Sequence, residues 1–141
     1  KLSRLISHRD NKLSRKYSIF VGNGGLYVPQ ELERGADGIM TGFAFTEMLV
    51  DLYNLFFNND KQEAEDLFDI YLPLIRHEQQ FGIGLGLRKF VLQHRDIIKS
   101  SNVRSPGPVL TGDDIKEMEH LLNRLNSKLI EKGLPIPKGI K

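Results

Sequence analysis

The chain has 141 residues, 40% of them apolar and 27% charged, the composition of one globular domain with a core of its own. It contains no cysteine, which excludes disulfides, thiol catalysis and thiolate metal sites, and its formal charge of +2 is too small to point to nucleic acid. No window approaches the roughly 18 apolar residues of a membrane span, and residues 1–4 lack the apolar core of a signal peptide. A soluble, cytoplasmic protein without a membrane partner is therefore expected. Lysine instead of methionine at position 1 leads to the expectation of a processed chain or a piece of a longer one.

Leu2, Leu5 and Ile6 mark a helical face that fades at Asp10 and Asn11. Residues 17–21, YSIFV, are β-branched and aromatic and are stopped by GNGG at 22–25, a strand followed by a turn. Pro29 can open a helix at its first turn, Gln30 to Arg34 supply one or two turns, and Gly35 closes them. A second short strand follows in ADGIMTG, centred on Ile39 and Met40. Both strands are nearly continuous apolar runs, which predicts parallel strands buried on both faces and a β-α-β unit. Two strands cannot make such a sheet alone. Another chain, another copy, or the N-terminal half of a longer protein is expected beside them.

After Gly42 the spacing turns helical. Phe45, Met48, Leu49, Leu52, Leu55 and Phe56 share one face, which breaks at residues 58–60, NND. Ala64, Leu67, Phe68, Tyr71, Leu74 and Ile75 form the next stripe, with a kink expected at Pro73, which has no N–H to donate. A third helix is predicted over residues 84–98 from Leu87, Phe90, Val91 and Ile98, and VRSPGPVL at 103–110 must be an extended crossing. Thr111 with Asp114 forms a variant capping box. It opens a last helix that carries Ile115, Met118, Leu122, Leu125 and Leu129. The tail GLPIPKGIK is expected to fray or to be pinned across a surface.

The chemical features are few. GNGG exposes backbone N–H groups that suit a phosphate, yet it is neither G-x-G-x-x-G nor a P-loop, and a strand end needing positive φ explains it equally well. His8, His77, His94 and His120 have no partner at metal-ligand spacing, and His77-Glu78 is not H-E-x-x-H. Asp66 with Asp69, and Asp113 with Asp114, read as solvated helix faces or a cap. Ser100, Ser101 and Ser105 lack any activating motif. Arg88, Lys89 and Arg95 read as a solvated or oligomer-contact face before they read as an anion site. The Leu122, Leu125 and Leu129 stripe is too short for a coiled coil.

The strings GNGGLYVPQELERGADGIMTGFAFTEML, YLPLIRHEQQFGIGLGLRK and VRSPGPVL resemble the C-terminal half of the dihydrodipicolinate synthase and N-acetylneuraminate lyase family. These are class I aldolases built on a (β/α)8 TIM barrel with extra C-terminal helices. Within the family the likeness is strongest to synthase-like lyases and 2-keto-3-deoxy sugar acid dehydratases. It covers nearly the whole chain, and E-x-x-x-G-A-D-G-x-M-T-G is its most specific string. The resemblance implies that residues 17–21 and 36–40 are barrel strands seven and eight and that 45–57 is the eighth barrel helix. Residues 1–57 would then be the last part of the barrel. Residues 58–141 would be the helical appendage packed on it in a single, mostly helical structural unit.

The resemblance also implies a site. Gly22 and Met40, with Asn23, Gly24 and Thr41 adjoining, would line the pocket for the pyruvoyl part of a substrate. Many relatives carry an acidic pair where this chain has Asn23 and Gly24, so the distal specificity is open. The family's Schiff-base lysine would fall upstream of Lys1, and its tyrosine and hydroxyl partners further still, so no catalytic residue is assigned here. A full barrel needs about 250 residues. The expectation is a fragment of a carbon–oxygen or carbon–carbon lyase acting on pyruvate or a 2-keto-3-deoxy acid, inactive alone, without metal or cofactor. It would be completed by an N-terminal half or by homo-oligomer partners. The alternative is a stand-alone helical assembly or binding module; a third reading is a phosphate-binding α/β protein using residues 22–25. An open strand edge predicts association or aggregation of the isolated chain.

Overall fold

The computed structural model describes residues 1–12 and 17–140, so Lys141 at the end of the predicted tail lies outside the described residues. The chain divides into two compact units, Lys1–Gly42 with Thr46–Phe68, and Phe43–Phe45 with the chain from Asp69 onward. No helix among the described residues is long and apolar enough to cross a membrane.

The first unit opens with α1, Leu2–Lys12. Leu2 and Ile6 are half-buried as their spacing predicts, but Leu5 is exposed. Arg9, one turn beyond, takes the inward position and is buried. Strands β1, Phe20–Val21, and β2, Gly38–Ile39, run parallel, with Phe20 opposite Gly38 and Val21 opposite Ile39. The Asp37 N–H donates to the Ile19 carbonyl at 2.8 Å and the Met40 N–H to the Val21 carbonyl at 2.9 Å. Both strands are shorter than predicted, because a ladder extends only where two chains run in register, whatever the β-propensity beyond it.

Between the strands the predicted punctuation is in place. A single 3-10 turn, Asn23–Gly25, puts Asn23, Gly24 and Gly25 at φ of 50°, 65° and 83°, the left-handed region that glycine enters without steric cost. Helix α2, Val28–Glu33, has Pro29 in its first turn, where a missing N–H is harmless. Gly35 closes it at φ 99°. Helix α3, Thr46–Phe57, buries Met48, Leu49, Leu52 and Phe56. Phe45, predicted as its first residue, lies before the helix and is fully buried.

The expected burial of both strand faces is corrected. Val21 is 1% exposed, but Phe20 on the other face is 50% exposed and Met40 is 69% exposed. The Phe20 ring lies over Gly38, where a Cβ would meet it at 2.9 Å, so these residues share the uncovered face. One face of the pair packs on its helices and the other is open.

Helix α4, Lys61–Glu78, starts in the first unit and continues in the second. Pro73 sits inside it without ending it. In the second unit Phe43, Phe45 and Tyr71 form an aromatic cluster with ring centroids 5.4 to 6.4 Å apart. Leu74 and Ile75 of α4 are buried, as are Leu87 and Val91 of α5, Gly84–His94. The latter helix was predicted to reach Ile98. It stops because Asp96 takes φ 53°, which cannot continue a right-handed helix.

Residues 103–110 form no regular structure, and their end leads into α6, Gly112–Lys132, which packs on α5. The capping box is present: the Asp114 N–H donates to Thr111 Oγ1 at 3.2 Å, and the Thr111 N–H donates back to Asp114 Oδ2 at 2.7 Å. The Thr111 hydroxyl also holds the Asp114 carboxyl below its usual range. Gly133 closes α6 in the left-handed conformation. The tail is pinned: Ile140 is buried and Arg95 Nε donates to the Lys138 carbonyl at 3.1 Å.

Candidate functional site

The five residues assigned from the sequence lie at the carboxyl ends of two neighbouring parallel strands. Gly22 and the turn that holds Asn23 and Gly24 follow β1; Met40 and Thr41 follow β2. The turn and Thr41 are close, since a Cβ on Gly25 would stand 3.4 Å from the Thr41 methyl. In parallel α/β proteins this is the end where ligands bind.

Met40 and Thr41 also line an open groove of about 460 Å³, together with Phe20 and Gly38 from the strands and Leu49 and Tyr53 from α3. Gly22, Asn23 and Gly24 are not among its lining residues. The groove is mainly apolar, and Asp37 is its one charged lining residue. That carboxylate is already engaged: it accepts from Arg9 Nη1 and, at 2.7 Å, from the Ile19 N–H. The Asp10 and Asp37 carboxylates hold the Arg9 guanidinium charged, with its pKa raised further. The Tyr53 hydroxyl donates to the Asp37 carbonyl at 3.3 Å. Asp37 thus ties α1, the approach to β1, and β2 together.

No lysine lines the groove, so the arrangement offers polar backbone and an apolar wall but no amine to attack a carbonyl. The turn is a poor phosphate cradle. Its Gly25 and Leu26 N–H groups donate to the Gly22 and Asn23 carbonyls at 3.0 and 3.2 Å, and α2 begins only at Val28. Among the described residues no group of three or more His, Cys, Asp or Glu could hold a metal ion.

The basic segment on α5 departs from its predicted solvated character. Lys89 does reach outward, to the Asn102 carbonyl. Arg88, however, pairs with Glu78 at 3.0 Å, and Arg95 is 2% exposed, its Nη1 donating to the Ala44 carbonyl. Glu78, which the sequence offers only as the neighbour of His77 in a pair that is not H-E-x-x-H, is 2% exposed. The signal was available, since Tyr71, Leu74, Ile75 and Glu78 follow one apolar stripe at helical spacing, as do Leu87, Val91 and Arg95.

A parallel strand pair with its intervening helix, one face open, and an apolar groove lined by β2 and α3 defines the class first: an open parallel α/β arrangement. The comparisons carry it further. The chain superposes on the crystal structure of dihydrodipicolinate synthase from Rhodopseudomonas palustris with a TM-score of 0.83 and 45% sequence identity, over 87% of this chain and 41% of that one. No protein-family model and no curated protein matches it. The chain is a relative of the dihydrodipicolinate synthase and N-acetylneuraminate lyase family, a TIM-barrel family. It spans less than half the length of the synthase it matches.

Proposed function

We propose that this chain is the C-terminal part of a Schiff-base lyase of that family, with β1 and β2 as the seventh and eighth strands of its barrel. In this reading Gly22, Asn23, Gly24, Met40 and Thr41 line the pocket for pyruvate or a 2-keto-3-deoxy acid. The nucleophile comes from residues outside the chain. Such a lysine is desolvated, which lowers its pKa so that the neutral amine attacks the keto carbon; water leaves and an imine forms. The supporting observation is the parallel pairing of Phe20 with Gly38 and Val21 with Ile39, which brings all five residues to one end of the sheet. The open face carrying Phe20 and Met40 supports the same reading, because it has the apolar character of a barrel interior. Division of residues 1–57 from 58–141 as barrel and appendage belongs to this proposal, as do homo-oligomeric assembly and a cytoplasmic setting. A stand-alone helical module is disfavoured by that uncovered sheet face.

The test is the intact mass of the natural polypeptide after treatment with pyruvate and borohydride, which reduces an imine to a stable amine. A polypeptide of about barrel length, roughly 250 residues, carrying one reduced pyruvate on a lysine outside this chain supports the proposal. A polypeptide of barrel length that takes up no pyruvate or 2-keto-3-deoxy acid rejects it.

A further inference from the structure

Among the described residues of the second unit, Glu78 and Arg95 are the buried charged side chains, and the proposed chemistry uses neither. They meet at the backbone of a single residue. Glu78 Oε1 accepts from the Ala44 N–H at 3.4 Å, while Arg95 Nη1 donates to the Ala44 carbonyl. The Arg95 guanidinium also lies over the Phe45 ring, 4.3 Å from its centroid. Each partner is anchored from behind: Glu78 Oε2 accepts from Arg88 Nε at 3.0 Å, and Arg95 Nε donates to the Lys138 carbonyl at 3.1 Å. Glycine makes the close approach possible at two points. A Cβ on Gly84 would strike the Glu78 carbonyl, and one on Gly139 would strike the Arg95 Cα.

Burying two opposite charges is a poor route to stability alone, because desolvation offsets most of the attraction between them. What a hydrogen-bonded buried pair supplies is a unique geometry for the group it holds. Here that group is the backbone of one residue, Ala44, gripped at its N–H and at its carbonyl, in two successive peptide groups, by side chains from the end of α4 and the end of α5.

We propose that Glu78 and Arg95 form a latch on the Ala44 backbone, with Glu78 its proton-sensitive half, and that the latch fixes the course of the Phe43–Phe45 segment. The latch makes Glu78 and Arg95 positioning residues for that segment of the second unit.

The charged groups that face Glu78 are Arg88 from α5 and, beyond the Ala44 backbone, Arg95. Its neighbour His77 turns instead toward Glu117 of α6, at 3.9 Å. Burial pushes the Glu78 carboxyl up to about 7, with Arg88 and the Ala44 N–H pulling the other way. Proton uptake near neutrality weakens both of its hydrogen bonds but relieves the larger cost of burying the charge.

The experiment follows the Ala44 amide of the nitrogen-15-labelled chain by NMR through the neutral pH range, in the wild type, Glu78→Gln and Glu78→Ala. The wild-type Ala44 resonance should titrate once. Its protection from exchange, corrected for intrinsic rates, should fall about tenfold or more as Glu78 ionises, because a carboxyl that titrates above its ordinary value favours the latched state while protonated. Glu78→Gln should hold the higher plateau without titrating, and Glu78→Ala should lose more protection than the amide isostere. An Ala44 resonance that stays flat in the wild type overturns the latch, and so does one that titrates unchanged in Glu78→Gln. If neither variant folds, the wild-type titration decides alone. Absence of a borohydride-trapped adduct would reject the lyase reading and leave this outcome untouched.

Discussion

In the second unit the apolar face of α6 is covered, with Met118, Leu122, Leu125 and Leu129 all buried. In the first unit two large apolar side chains on or beside the strands, Phe20 and Met40, are left half exposed or more. The difference follows from what each element needs. A helix satisfies its backbone internally and has one stripe to bury, so a few neighbours complete it. A parallel strand needs partners at both edges and cover on both faces. A helical unit can therefore close on itself where a two-stranded sheet cannot.

The largest effect that would sharpen this contrast is Leu125→Ala. Emptying a closed helical core should cost about 2–5 kcal/mol, read as a shift in denaturant midpoint. If it costs no more than a surface substitution, the second unit is not the closed core described.

Next comes Glu78. Its folded value of about 7 lies above the ordinary 4.5, so the folded state holds the proton more tightly. The stability it contributes is complete below about pH 4.5, falls as pH rises toward 7, and is gone above it. The loss should be about 3 kcal/mol, seen as the difference between the pH–stability curves of wild type and Glu78→Gln. Thr111→Ala removes the cap of α6 and should cost about 1 kcal/mol, measured in the same way.

The smallest change in stability, and the one that tests the first unit, is Met40→Gln. It should alter stability by under about 0.5 kcal/mol while lowering self-association in sedimentation, because it makes an uncovered face polar. Destabilisation as large as that of Leu125→Ala would mean that Met40 is buried in solution and would break the comparison.

Helix positions were legible because period and punctuation agreed: Pro29 and Gly35 bracket α2, while Thr111, Asp114 and Gly133 bracket α6. Strand lengths were not, because residues 17–19 have β-propensity, but a ladder extends only as far as a neighbouring strand runs in register with it. The end of α5 was hidden in the backbone of Asp96, whose positive φ no apolar pattern encodes. The five site residues were reached through family motifs, with little in their chemistry to find them. Glu78, Arg95 and Arg9 were missed for another reason. Each lies on an apolar stripe, and a charged residue there is read as an interruption unless its partner, distant in sequence, is known. Arg9 and Asp37 are 28 residues apart and Glu78 and Ala44 are 34 apart.

The Phe20 ring and the hydrogen of Gly38 occupy what is in effect one volume shared by two strands. A large side chain could sit on either strand but not on both. A lineage that moved the bulk from position 20 to position 38 would have to pass through a hole, if the ring shrank first, or through a clash, if the glycine grew first. The two sites are coupled through their packing, and a substitution at one should be read only alongside the other.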